Sequence, residues 1–148
     1  MARGQRPKGE TARRHLSLRV ASATFEELER RARETGETRN TLAERYIAEG
    51  MRMDEHPQIA FREGALGRRA ALVGTRLDVW QVMETVRNSG NSAEEAADYL
   101  EQPVEKVRAA VRYYAAYRDE ADEFAARATA VAERAEAAWR AEQELLAS

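Results

Sequence analysis

The sequence predicts a mainly α protein: a short N-terminal strand with two helices, a small β-hairpin with a three-helix bundle, and a long C-terminal helix. Three patterns predict it. From Ser22 onward, apolar residues recur mostly at helical spacing. His15–Val20, by contrast, alternates polar and apolar side chains. Gly36, Gly74, Gly90 and Pro103 punctuate the periodic stretches where helices are expected to stop or start.

Residues 1–13 are rich in Gly, Pro and Arg, have almost nothing to bury, and read as a disordered basic arm. In the next six residues a period of two puts Leu16, Leu18 and Val20 on one face and His15, Ser17 and Arg19 on the other. No other strand is expected within forty residues, and a lone strand leaves its backbone unpaired, so its partner is expected from a second chain. Ser22 or Thr24 is placed to cap a helix ending at Thr35, with Phe25, Leu28 and Ala32 on one face and Gly36 as its stop. Thr38 caps a second helix to about Met53, with Leu42, Ala43, Tyr46, Ile47 and Met51 as its apolar face. Glu55-His56-Pro57 reads as a linker.

Residues 58–61 and 69–73 read as a small hairpin, and Gly74-Thr75-Arg76 turns the chain into a helix over 78–88 with Val79, Val82, Met83 and Val86 inward. Ser92 and Glu95 read as a capping box for a helix to about Leu100. Pro103 opens another, with Val104, Val107, Val111 and Tyr114 at helical spacing. The final stretch, from Tyr117 to about Leu146, has no Gly or Pro. Tyr117, Ala121, Phe124, Ala128, Val131, Ala135, Ala138, Glu142 and Leu145 make an Ala-rich heptad seam along it.

Composition narrows the function classes. Charged residues at 34% and hydrophobic ones at 43% suit a soluble helical protein, and no run of 18 apolar residues suggests a membrane span. The basic N-terminus has no apolar stretch behind it, so no secretory signal is expected. The absence of Cys excludes disulfides and thiolate sites and fits a cytoplasmic protein. Two distant histidines, no metal-ligand spacing and no Gly-rich phosphate loop point away from an enzyme, a metal site or a cofactor. The net charge of −2 conceals an asymmetry: residues 1–20 carry six Lys/Arg against one acid, residues 119–148 three Arg against eight acids. The first attracts phosphate and the second repels it.

The order HLSLRV, then Gly36-Glu37-Thr38-Arg39-Asn40, then the Leu42/Tyr46/Ile47 face resembles the ribbon-helix-helix family of Arc- and MetJ-like repressors over residues 14–53. The resemblance implies a DNA-binding domain at 14–55. It forms an intertwined homodimer, higher-order on DNA in some cases, whose paired strands enter the major groove of double-stranded DNA. His15, Ser17 and Arg19 become the base-reading face, and Arg19 is able to donate two hydrogen bonds to guanine. Thr38, Arg39 and Asn40 become the phosphate clamp at a helix N-terminus, and Lys8, Arg13 and Arg14, with Arg3 and Arg6, add salt-dependent affinity. The expected function is that of a transcriptional regulator acting as a repressor.

Residues 58–117 resemble a VapB-type antitoxin-like domain, a hairpin followed by a helix-turn-helix-like bundle. The matching residues are Gly67, Gly74-Thr75-Arg76 leading into Leu77-Asp78-Val79-Trp80, Ser92-Ala93-Glu94-Glu95, and the run from Val107 to Tyr114. That resemblance implies, as an alternative, an antitoxin that masks a PIN-like toxin and regulates its own synthesis. A plasmid-partition or DNA-organising role is the other alternative. Within this domain Lys106, Arg108, Arg112 and Tyr113 are candidates for a second DNA surface, against a simple solvated face. Trp80 is expected in the core and Arg76 to brace the hairpin through carbonyls. On the acidic helix at 118–148, Phe124, Val131, Trp139 and Leu145 are candidate anchors for self-association or a protein partner such as a toxin, against a solvated, frayed helix.

Overall fold

The computed structural model describes residues 12–148. The elements run α1 (Ser22–Thr35), α2 (Arg39–Glu55), β1 (Ile59–Arg62), β2 (Arg69–Leu72), α3 (Val79–Asn88), α4 (Ala93–Leu100), α5 (Val104–Ala116) and α6 (Arg118–Ala147). The protein is mainly α, with one two-stranded antiparallel hairpin and a 30-residue C-terminal helix. The chain divides into two compact units, residues 1–55 and 56–148.

The first unit contains α1 and α2, joined at Gly36, whose φ of 72° is the left-handed geometry that ends helices and favours glycine. Thr38 caps α2: its Oγ1 accepts from the Thr41 N–H at 3.1 Å. Neither Ser22 nor Thr24 caps α1. The cap position belongs to Ala21, and both candidate hydroxyls lie inside the first turn.

The strand expected at His15–Val20 is not formed in this chain, where two helices precede the hairpin and no strand precedes α1 among the described residues. The physical reason lies in pairing. A strand exists only by hydrogen bonding to another, and among the described residues no backbone bond ties His15–Val20 to any other segment.

The second unit is built on a conventional core. In the hairpin Ile59 faces Leu72, Ala60 faces Ala71 and Arg62 faces Arg69. Ile59 and Leu72 are buried with Val79, Val82, Met83 and Val86 of α3, Ala96 and Ala97 of α4, and Val107, Ala110, Tyr113 and Tyr114 of α5. The predicted inward face of α3 is therefore inward in full. The N-terminal part of α6 packs onto α3, α5 and β2, burying Phe124.

Two junctions hold these layers in register. After β2 the chain turns at Gly74, with φ 73°. Thr75 Oγ1 donates to the Leu72 carbonyl at 3.0 Å and accepts from the Leu77 N–H at 3.1 Å. The Arg62 guanidinium donates to the carbonyls of Leu72, at 3.1 Å, and Thr75. The brace expected from Arg76 is thus supplied by Arg62, which pairs with Arg69 on the opposing strand and reaches the turn with its long side chain, while Arg76 is exposed. Asp78 then caps α3 through a reciprocal capping box with Gln81. Its Oδ2 accepts from Arg69 Nε at 3.0 Å and from Trp80 Nε1 at 3.2 Å, so Trp80 serves the junction as well as the packing. At α4 the Ser92 side chain accepts from the Glu95 N–H.

Asp78 is buried at the start of α3, and its Oδ2 serves a guanidinium and an indole at once while Oδ1 is buried without a hydrogen-bond partner. Asp78→Ala is expected to cost about 2–3 kcal/mol, between the loss of a helix cap and the breaking of a buried ion pair. The check is the shift in urea midpoint monitored by circular dichroism.

Candidate nucleic-acid interface

The candidate residues of the N-terminal unit fall into two groups. His15, Ser17 and Arg19 lie on the exposed segment before α1, with Leu16, Leu18 and Val20 alternating between them. These three apolar side chains are 68%, 58% and 43% exposed. Phe25 on α1 and Tyr46, Ile47, Met51 and Met53 on α2 are exposed as well. Of the apolar side chains described in this unit, only Ala32 and Leu42 are buried. An apolar set of this size left in water by so small a unit is the kind of surface that marks an interaction site.

The second group surrounds the start of α2. Thr38, Arg39 and Asn40 are exposed there. The first backbone N–H groups of a helix have no intrahelical acceptor, and the dipole favours an anion at that end. Thr38 is occupied with the cap, and its Oγ1 also donates to Thr41 Oγ1 at 2.8 Å. Arg39 reaches back to α1: it pairs with Glu29 at 3.0 Å and lies over the Phe25 ring at 4.7 Å. Arg39 therefore ties the two helices as well as standing beside the open amides. Arg13 pairs with Glu44 of α2 at 3.1 Å, and Arg14 is exposed. Lys8 and the rest of the basic arm up to residue 11 lie outside the described residues.

Around this surface arginines pair within α1, with the turn that follows it, and across to α2. Arg45 binds both oxygens of Glu37 at 2.8 Å. Arg31 donates to Glu27 at 2.8 Å and to the Tyr46 hydroxyl at 3.2 Å. Arg30 pairs with both Glu27 and Glu34. Hydrogen bonds from Arg30, then Arg31, hold the Glu27 carboxyl down at about 2. Because this folded-state value is depressed, the contribution is present above the ordinary carboxylate range and lost as pH falls towards 2.

The candidates of the second unit do not assemble into one surface. Tyr113 is fully buried: its ring lies on the core side of α5, against His56, Phe61 and Tyr117. It therefore cannot present itself to DNA. It shares the helix face of Ala109 and Ala110, a placement that periodicity from Val104 and Val111 alone did not resolve. Lys106 donates to the Val73 carbonyl at 3.1 Å. Arg108 pairs with Glu94 and with Glu105, the latter at 2.8 Å, and Arg112 is exposed. On α6 Phe124 is likewise buried, with Trp80 at 6.3 Å, and so is spent on its own bundle rather than offered to a partner. Val131, Trp139 and Leu145 are exposed.

Among the described residues no group of three His, Asp or Glu side chains is arranged to hold a metal ion, and no helix is long and apolar enough to cross a membrane. Comparison of the chain with family models, with curated proteins and with solved structures gives no match.

The paired state of Glu27 is directly measurable. A carbon-detected NMR titration of the Glu27 carboxyl is expected to give a midpoint near 2, and Arg30→Gln should return it towards the ordinary carboxylate value.

Proposed function

We propose that the N-terminal unit is a ribbon-helix-helix DNA-binding module and that the protein is a dimeric, sequence-specific transcriptional regulator. The observation that carries this reading is the uncovered apolar set: Leu16, Leu18 and Val20 beside exposed Phe25, Tyr46 and Ile47. A second copy supplies what one chain lacks. Antiparallel pairing of the two His15–Val20 segments satisfies their backbone groups, and the apolar sides of both segments close over four helices. The same pairing turns His15, Ser17 and Arg19 outward together as a two-stranded ribbon, which the major groove is wide enough to admit. Each α2 N-terminus then offers its free amides to a phosphate, fixing the register of the ribbon without reading sequence.

Charge supports the same assignment. The cations of the first twenty residues outnumber acids six to one, whereas the basic side chains of α5 are largely engaged within their own unit. DNA reading is accordingly assigned to the first unit alone.

Two measurements test the reading. Arg19→Ala is expected to reduce discrimination between the selected site and random DNA by about 10- to 100-fold, the equivalent of about 1–3 kcal/mol for one bidentate base contact. The dimer should stay intact by analytical ultracentrifugation, and unchanged discrimination would sink the ribbon assignment. Deletion of residues 1–12 is expected to weaken binding to all sequences alike. It should also lower the slope of log affinity against log salt by about one for each phosphate no longer neutralised. An unchanged slope would mean that the arm does not touch DNA.

A further inference from the structure

Arg39 is the first residue of α2, at the end where the proposed reading places a phosphate. Its guanidinium is turned back to α1. There it pairs with Glu29 at 3.0 Å and lies over the Phe25 ring at 4.7 Å. The cation nearest the open amides is thus already engaged inside its own chain.

Three features make this engagement reversible. The pair is open to water, with side chains 45% and 39% exposed, and an ion pair in that setting gains little over its hydrated partners. Glu29 also has a second cation within reach. Arg33 is exposed four residues further along α1, in the acid-before-base order that helices favour. Arg39 can therefore leave without stranding a carboxylate. Finally, Phe25 belongs to the exposed apolar set that a second copy is proposed to cover. A ring face taken by that copy is no longer open to the guanidinium.

The neighbouring charges single out Glu29. Glu29, Arg33, Glu37 and Arg39 line one hollow of about 340 Å³ between the end of α1 and the start of α2. Glu37 is held through both oxygens by Arg45 at 2.8 Å. Glu29 is the acid of the hollow that holds Arg39.

We infer that Glu29 is an internal stand-in for phosphate: it sequesters Arg39 in the free protein and yields it to the DNA backbone on binding, passing to Arg33. This rests on the DNA-binding reading and adds its regulation, an autoinhibitory contact at the phosphate clamp. The exchange lowers affinity for every sequence alike, because phosphates carry no base identity.

A double-mutant cycle on the full-length chain tests it, read as affinity for a random-sequence DNA duplex by fluorescence anisotropy. Glu29→Gln is expected to tighten binding about two- to fivefold per protomer, the range of one exposed pair. Arg39→Gln is expected to weaken it and to lower the slope of log affinity against log salt by about one per protomer. In the Arg39→Gln background Glu29→Gln should give no gain. An equal gain in both backgrounds would mean that Glu29 only repels DNA, and would overturn the exchange. So would an unchanged affinity in Glu29→Gln with circular dichroism showing the helices intact. A wild-type chain that binds no duplex at low salt overturns the DNA reading and this inference with it; a wild-type chain that binds, but with an additive cycle, overturns this inference alone.

Discussion

Apolar surface without cover governs the described part of the N-terminal unit, residues 12–55. α1 and α2 are 14 and 17 residues long, lengths at which an isolated helix in water is marginal and depends on packing for its stability. What packs between them is little: Ala32 and Leu42. The remaining ties are the Arg31–Tyr46 hydrogen bond and the half-exposed Arg39–Glu29 ion pair, and a pair of that kind contributes between nothing and about 1 kcal/mol. A unit this small is near the lower limit for independent folding. Under the proposed pairing, folding and dimerisation of this unit become one event. The order of assembly matters for function as well: a ribbon that exists only in the dimer confines base reading to the dimer, and the two-fold relation between its strands demands a palindromic site.

The second unit has the opposite balance. Its core draws on both strands and on α3, α4 and α5, and Arg62, Arg69 and Lys106 are spent internally. Arg62 bonds to carbonyls, Arg69 to Asp78, Arg87 to the Tyr114 hydroxyl at 2.6 Å, and Lys106 to Val73. A guanidinium held by a buried carboxylate or a carbonyl is a structural group; releasing it to a phosphate would leave its partner unsatisfied. Cations therefore do different things in the two units. In the second they hold turns and helix ends in place, and in the first Arg14 and Arg19 stand exposed ahead of α1.

The elements with internal punctuation were legible in the sequence. Gly36, Thr38, Ser92 and Pro103 act locally, through φ angles and caps, so residue identity alone locates the end of α1 and the starts of α2, α4 and α5 to within a residue or two. Less legible was whatever depends on three-dimensional neighbours. Arg62 and Arg76 are both arginines near the hairpin, and only the three-dimensional path of the Arg62 side chain brings it to the carbonyls of Leu72 and Thr75. Tyr113 and Phe124 have the composition of binding anchors, but the crossing of α5 and α6 with the rest of the bundle turns both inward. The segment before α1 stands apart from these, because its alternation specifies a strand's two faces without supplying a strand to pair with. Its polar face, with Arg19, is readable from residue order, whereas under the proposed pairing its conformation would come from a second molecule.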